Sequence, residues 1–350
     1  MNLASILNFF SPKQKGKAIN NNKARYKSCI WLNQGINFDI DSYKICCLYS
    51  GTGGGDTIIK SNYKGEPVNW NEFFKKKREI RELHKKGKVY PKCEGCVFLQ
   101  EGEWDDKEDF INFINLDYWT KCNCNCSYCH TAKDKEGYNS KETYNFLPIL
   151  KDMIKRNILR PGGHVSFGGG EVTLLEEFEE SLTILLNFGI SNIRIHSACM
   201  DYSPAVEAGL KKGALDLVVS VDSGSKEMHR RIKQVDTYDT VWENLRNYAS
   251  HQARPDLVKT KYIVVPGLND QEREIELWLE KCKSVGINSV IQEIEAKWFY
   301  GSRENVPRYI YKLFDFTKAK AIEMGLEYGL YERAEHLMNE RKAKETTNIT

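Results

Sequence analysis

No run of apolar residues in this 350-residue chain approaches the roughly 20 needed to cross a bilayer as a helix. A membrane span is therefore not expected. Charge of one sign is missing too: 51 Lys and Arg stand against 48 Asp and Glu, so no basic field predicts a nucleic-acid partner. The start of the chain lacks the order of a secretory signal, because the apolar stretch from Leu3 to Phe10 precedes Lys13, Lys15 and Lys17 instead of following them. Residues 1–25 read as an N-terminal extension. Lysines are grouped at Lys75, Lys76, Lys77 and at Lys85, Lys86, Lys88, around a helical pattern whose apolar face is Phe73, Phe74, Ile80 and Leu83. They read as the solvated side of that helix.

Cysteine is what the chain has in excess. Eleven of them, clustered at CxxC and CxxxCxxC spacings, argue for metal over disulfides and for a reducing compartment, the cytoplasm. The chain is organised around Leu116 to His130. There Cys122, Cys126 and Cys129 follow the apolar run Phe110, Ile111, Phe113, Ile114, Leu116, in a loop that can turn three thiols onto one face. Structural zinc takes four closed ligands, whereas three thiols leave one coordination position open and suit an iron-sulfur cluster.

With the aromatic Tyr128 directly before the last cysteine, Cys122, Cys126 and Cys129 resemble the CxxxCxΦC signature of radical S-adenosylmethionine (radical SAM) enzymes. The resemblance implies a 4Fe-4S cluster on these thiolates, with S-adenosylmethionine chelating its fourth iron. It also implies reductive cleavage of SAM to methionine and a 5'-deoxyadenosyl radical, in a protein that orients and shields the chemistry.

From Asp109 onward short apolar runs alternate with helical patterns, which predicts parallel strands and crossover helices. Strands are expected at 110–119, 164–167, 192–195, 215–220, 260–265 and 289–294. Helices are expected at 144–158, 176–188, 203–212, 240–251 and 270–285. The fold class is α/β: a partial (β/α)6 TIM-like barrel over 106–300, preceded by a small β-hairpin/helix iron-sulfur domain over 26–105. A C-terminal helical segment, 301–350, closes the barrel, with 342–350 read as disordered.

Reactive groups in such barrels sit at the carboxyl ends of strands. Gly168, Gly169, Gly170 and Glu171 resemble the family's GGE motif, in which glycines allow close backbone approach to the ligand and Glu171 accepts from the SAM amino group. Val172 stands where relatives have proline. Ser197, in the run His196 to Cys199, and Ser220 with Asp222 resemble polar segments that relatives place near the SAM methionine, ribose and carboxylate; Tyr128 joins this cofactor-binding set. The loop from Val265 to Asp270 corresponds to the family's adenine pocket.

Further residues carry weaker signals. Cys199 is a candidate hydrogen-atom donor, against the plainer reading of a packed core thiol. Cys124 and Cys282 read as small or core residues. Glu293 and Glu295 share a strand face and either meet substrate or pair with Lys261 or Lys297. Lys261 is directed into the barrel, and His130 contacts SAM or only the surface.

In the N-terminal region, Cys29, one of the adjacent Cys46 and Cys47, and the pair Cys93 and Cys96 flank a hairpin over 30–45 and a helix over 70–86. The arrangement resembles twitch or SPASM modules, which implies a second, auxiliary 4Fe-4S cluster. Those modules follow the radical SAM domain, whereas this one precedes it, and a zinc ribbon on the same sulfurs is the alternative. The resemblance as a whole implies a radical SAM oxidoreductase acting on a peptide, protein or small molecule, with an electron donor such as flavodoxin or ferredoxin. Peptide or protein modification is the favoured expectation. A sugar, nucleotide or other small metabolite is the alternative substrate, and a non-catalytic iron-sulfur or zinc electron-transfer protein is the alternative of another class.

Overall fold

The computed structural model describes residues 24–40, 42–46, 67–96, 98–104, 109–129, 144–300 and 305–347. Cys47, the glycine-rich turn from Gly51 to Gly55 and His130 lie outside the described residues. The N-terminal part forms β1 (Ala24–Ser28), α1 (Ile30–Gln34), β2 (Gly35–Asp39), β3 (Tyr43–Lys44), α2 (Trp70–Lys85) and β4 (Gln100–Trp104). Here the sequence reading needs correcting. The stretch expected to be a hairpin begins as a helix, because Cys29 caps it through its sulfur, accepting from Leu32 N–H at 3.4 Å. Only Phe38 and Tyr43, with their neighbours, pair as an antiparallel hairpin.

The larger surprise is the place of β2. Its other edge pairs in parallel with β5 (Ile111–Asp117), Gly35 opposite Phe113 and Asp39 opposite Asp117. A nine-stranded sheet therefore runs across the boundary expected between residues 105 and 106. Asn37 is fully buried, and its side-chain oxygen accepts from Asn115 at 2.8 Å. β1 and β4 make a separate two-stranded ribbon.

The barrel strands fall close to their expected places: β6 (Leu159–Phe167), β7 (Asn192–Ser197), β8 (Leu215–Ser220), β9 (Val258–Val264) and β10 (Ser289–Ile294). All neighbours from β2 to β11 (Glu327–Leu330) are parallel, and the sheet is open. β7 and β9 alternate apolar and polar residues, in the runs NIRIHS and VKTKYIV. Crossovers are α3 (Leu147–Lys155), α4 (Phe178–Phe188), α5 (Pro204–Lys212), α6 (Lys226–Lys233), α7 (Tyr238–His251) and α8 (Glu272–Ser284). The sequence reading had no α6. Yet Ser225 caps it, accepting from Met228 N–H at 3.1 Å, a legible N-terminal signal.

The chain ends in α9 (Ala296–Tyr300), α10 (Arg308–Glu323), β11 and α11 (Glu332–Thr347). The last helix runs beyond the point where disorder was expected. Lys77 corrects the solvated-face reading of α2: it is 0% exposed and donates to Gly35 O at 2.9 Å. Among the described residues no helix is long and apolar enough to cross a membrane.

Candidate functional site

The carboxyl ends of the parallel strands surround a cavity of about 250 Å3. On one wall stand Cys122, Cys124, Cys126, Tyr128 and Cys129, from the loop after β5; on the floor lie Gly169, Gly170 and Glu171, after β6. The two loops are stitched together, Gly170 N–H donating to Trp119 O at 3.0 Å and Glu171 N–H to Lys121 O at 2.9 Å. Glycine is required for this contact. A Cβ on Gly170 would stand 2.2 Å from Lys121 O, and one on Gly169, which has φ +79, 2.6 Å from Trp119 O. The close approach these glycines permit is thus to the backbone of the cysteine loop, where the sequence reading assigned it to a ligand.

Glu171 is 1% exposed. One carboxylate oxygen accepts from Ser197 Oγ at 2.9 Å and from the Thr173 hydroxyl at 3.1 Å, the other from Ala198 N–H at 2.6 Å. Burial raises its pKa, against the pull of those donors. Ser197 in turn accepts from Cys199 N–H at 2.7 Å. The carboxylate thereby clips the end of β7 to the floor of the cavity.

Asp222 occupies a different place from the one expected of it. It is fully buried, does not line the cavity, and ties three elements together: Oδ2 accepts from Tyr128 Oη and Lys233 Nζ, each at 2.5 Å, and Oδ1 from Ile263 N–H at 2.7 Å. Lys233, on α6, had no part in the sequence reading. It borders the cavity, and its positive charge is one reason the Cys126 thiol is lowered to about 6, after the hydrogen bond from Cys124. A second hydrogen bond from Cys124 lowers Cys122. Cys124 itself is raised and reaches Met200 Sδ at 3.4 Å. Two of the three motif thiols are thus held toward the thiolate form that binds metal.

Ser220 and Lys261 line the cavity, as do His196 and Arg333. Cys199 does not: it is 1% exposed within the main core, and burial raises its thiol. The surroundings are those of a packed thiol. Cys282 is also a core residue, bonded to Thr260 at 3.1 Å. Glu293 caps α11, accepting from Ala334 N–H at 2.9 Å, and Glu295 pairs with Lys297 at 2.9 Å.

In the N-terminal part, Cys29, Cys46, Cys93 and Cys96 lie near enough to one another to interact electrostatically. Burial first, and then mutual repulsion, pushes Cys29 and Cys93 up to about 12. Among the described residues no group of three or more His, Cys, Asp or Glu is drawn together closely enough to hold a metal ion. Thiolate is the chemistry an iron-sulfur cluster takes, and Cys122 and Cys126 are the thiols held toward it, beside the open cavity.

Residues 117–279 match the family model described as the Radical SAM superfamily. A curated relative named "Probable GTP 3',8-cyclase", from Pyrococcus abyssi, is 25% identical over 66% of this chain and 71% of its own length. A "GTP 3',8-cyclase" of Clostridium botulinum is 25% identical over 51% of this chain and 56% of its own. Among solved structures, Streptococcus suis SuiB bound to precursor peptide SuiA aligns with a TM-score of 0.51 at 12% identity, covering 75% of this chain and 62% of that one. This likeness is one of fold. The chain spans less than two thirds of the clostridial relative and of SuiB.

Proposed function

We propose that this chain, an enzyme carrying a radical SAM superfamily domain over residues 117–279, reductively cleaves SAM and abstracts a hydrogen atom from a peptide or protein. The observation that carries this reading is the meeting of Cys122, Cys126 and Cys129 with Gly169, Gly170 and Glu171 around one cavity at the strand ends. Cys122, Cys126 and Cys129 would hold a 4Fe-4S cluster there, which would supply the electron for reductive cleavage of SAM.

The protein's own part is preparation. Cys122, Cys126 and Cys129 hold the cluster, and Lys233 offsets the negative charge gathered near Cys126. Gly169 and Gly170 seat the floor loop against the cysteine loop, and Glu171 orients the end of β7. Tyr128 stands on the cavity wall with Asp222 behind it, and Ser197 and Ser220 at the strand ends complete the SAM pocket. Ile263 and Ala296 supply apolar wall that keeps water from a reactive radical.

Cys29, one of Cys46 and Cys47, Cys93 and Cys96 would hold a second 4Fe-4S cluster. Four thiols that repel one another when ionised are stabilised together by a cationic iron core. A small donor such as flavodoxin or ferredoxin delivers the electrons, in the cytoplasm. The peptide reading draws on these auxiliary-cluster thiols and on the precursor peptide named with SuiB. A nucleotide is the second reading, favoured by the GTP in the names of both curated relatives. A purely electron-transferring protein would have no need of the clipped Glu171 loop.

The test is anaerobic reconstitution followed by SAM and dithionite. About eight irons per chain and 5'-deoxyadenosine are expected. Cys126→Ala should abolish 5'-deoxyadenosine while about four irons remain; full SAM cleavage in that variant would sink the assignment.

A further inference from the structure

The cavity wall built by β7, β9 and the start of α11 carries positive charge that the protein leaves partly unmatched. Lys233 is matched, by Asp222 at 2.5 Å. Lys261 is different. Among the described residues its ammonium has no hydrogen-bond acceptor and no carboxylate within ion-pair distance. What it does meet is the face of the Tyr331 ring, 5.2 Å away, while Asp222 and Glu293 act on it only through space and burial lowers its pKa.

Arg333, also lining the cavity, faces Glu293 at 3.6 Å, but its Nε makes no hydrogen bond. Both Glu293 oxygens are already engaged, one by Ala334 N–H and Ile294 N–H at 2.9 Å each, the other by Arg333 N–H at 3.4 Å. The third group is His196. Its Nδ1 is buried without a hydrogen bond, while Nε2 lies 3.4 Å from Tyr331 Oη. Two cations, one shared carboxylate and one unused imidazole nitrogen thus converge on the same space.

An ammonium withdrawn from water without a counter-charge destabilises a protein. A cavity that keeps one gains when an anion arrives. We infer that Lys261 and Arg333, with His196 beside them, form an anion-binding corner that anchors a carboxylate or phosphate group of the substrate. The inference rests on the radical SAM reading for what enters the cavity, and it narrows the substrate to molecules that present such a group. Lys261 and Arg333 are then positioning residues: they fix one end of the substrate so that a carbon elsewhere in it faces the radical.

The experiment uses reconstituted enzyme saturated with SAM, titrated calorimetrically with inorganic phosphate and separately with acetate, against sodium chloride of equal ionic strength. Saturable binding of at least one anion is expected. It should weaken tenfold or more in Lys261→Met and in Arg333→Met and survive in Lys261→Arg, with SAM affinity within twofold of the native value throughout. Preference for phosphate points to a phosphate ester, and preference for acetate to a carboxylate.

A second readout is stability. Without anion, Lys261→Met should melt at or above the native protein, because a half-buried ammonium with no counter-charge has been removed. Absence of anion binding to the native enzyme overturns the inference, as does a Lys261→Met variant that melts lower. A fall in SAM affinity matching the fall in anion binding also overturns it, by giving the corner to the SAM carboxylate. Deoxyadenosine formation by the native enzyme is read separately, so the radical reading can fail while the anion site stands, or the reverse.

Discussion

At the scale of single residues, the Tyr128, Asp222 and Lys233 group decides how the cysteine loop is held. Tyr128 precedes the last motif cysteine, and its hydroxyl reaches Asp222 at 2.5 Å, while Lys233 donates to the same oxygen and lies 3.1 Å from Tyr128 Oη. Asp222 and Lys233 are 0% and 2% exposed. Lys233→Met would leave the Asp222 carboxylate buried with its counter-charge gone, a loss of about 3–5 kcal/mol. Adding Asp222→Asn should recover part of it, because the two sites share one interaction and their effects do not add. Urea unfolding of the four species of this cycle measures both quantities. Additive losses would mean that the pair is not coupled.

At the scale of elements, the floor loop works because it has no side chains where it crosses the cysteine loop. Ala at Gly170 would set a methyl 2.2 Å from Lys121 O and 2.8 Å from Thr120 C. Backbone cannot yield as a flexible side chain does, so the loops must separate. Gly170→Ala is expected to cost about 1–3 kcal/mol and to lower iron bound in the barrel, read by absorbance and iron content after reconstitution. Full barrel iron in that variant would show that the two loops tolerate separation. The same logic of element against element explains Glu293, which the sequence offers as a substrate carboxylate and the fold uses to satisfy the first N–H groups of α11.

At the scale of the whole molecule, part of the N-terminal region and the barrel belong to one sheet. β2 hydrogen-bonds to β5 on one side and β3 on the other. Trp70 donates to Asp152 at 2.9 Å and Tyr144 to Asp39 O at 3.0 Å, further joining the two parts. A chain so connected should melt in one transition, with near-ultraviolet and far-ultraviolet circular dichroism coinciding in the anaerobic holoprotein. Two separated transitions would restore an independent N-terminal domain.

What the sequence determined by itself is local. The spacing of Cys122, Cys126 and Cys129, the glycines before Glu171, and the apolar runs of β8 and β10 each depend on residues a few positions apart, so they were legible without the fold. So was the gathering of functional groups at strand ends, which follows from parallel connectivity. The tertiary structure decided what depends on partners far along the chain. Asp222 looks like a ligand contact until Tyr128 and Lys233, 94 and 11 residues away, claim it. Arg333 reaches the cavity only because α11 folds back over β10. A strand's alternating pattern, as in Ile36, Asn37 and Phe38, shows which side chains share a face but not whether that face meets water, and here a second buried face with Asn115 waiting on it made β2 part of the barrel.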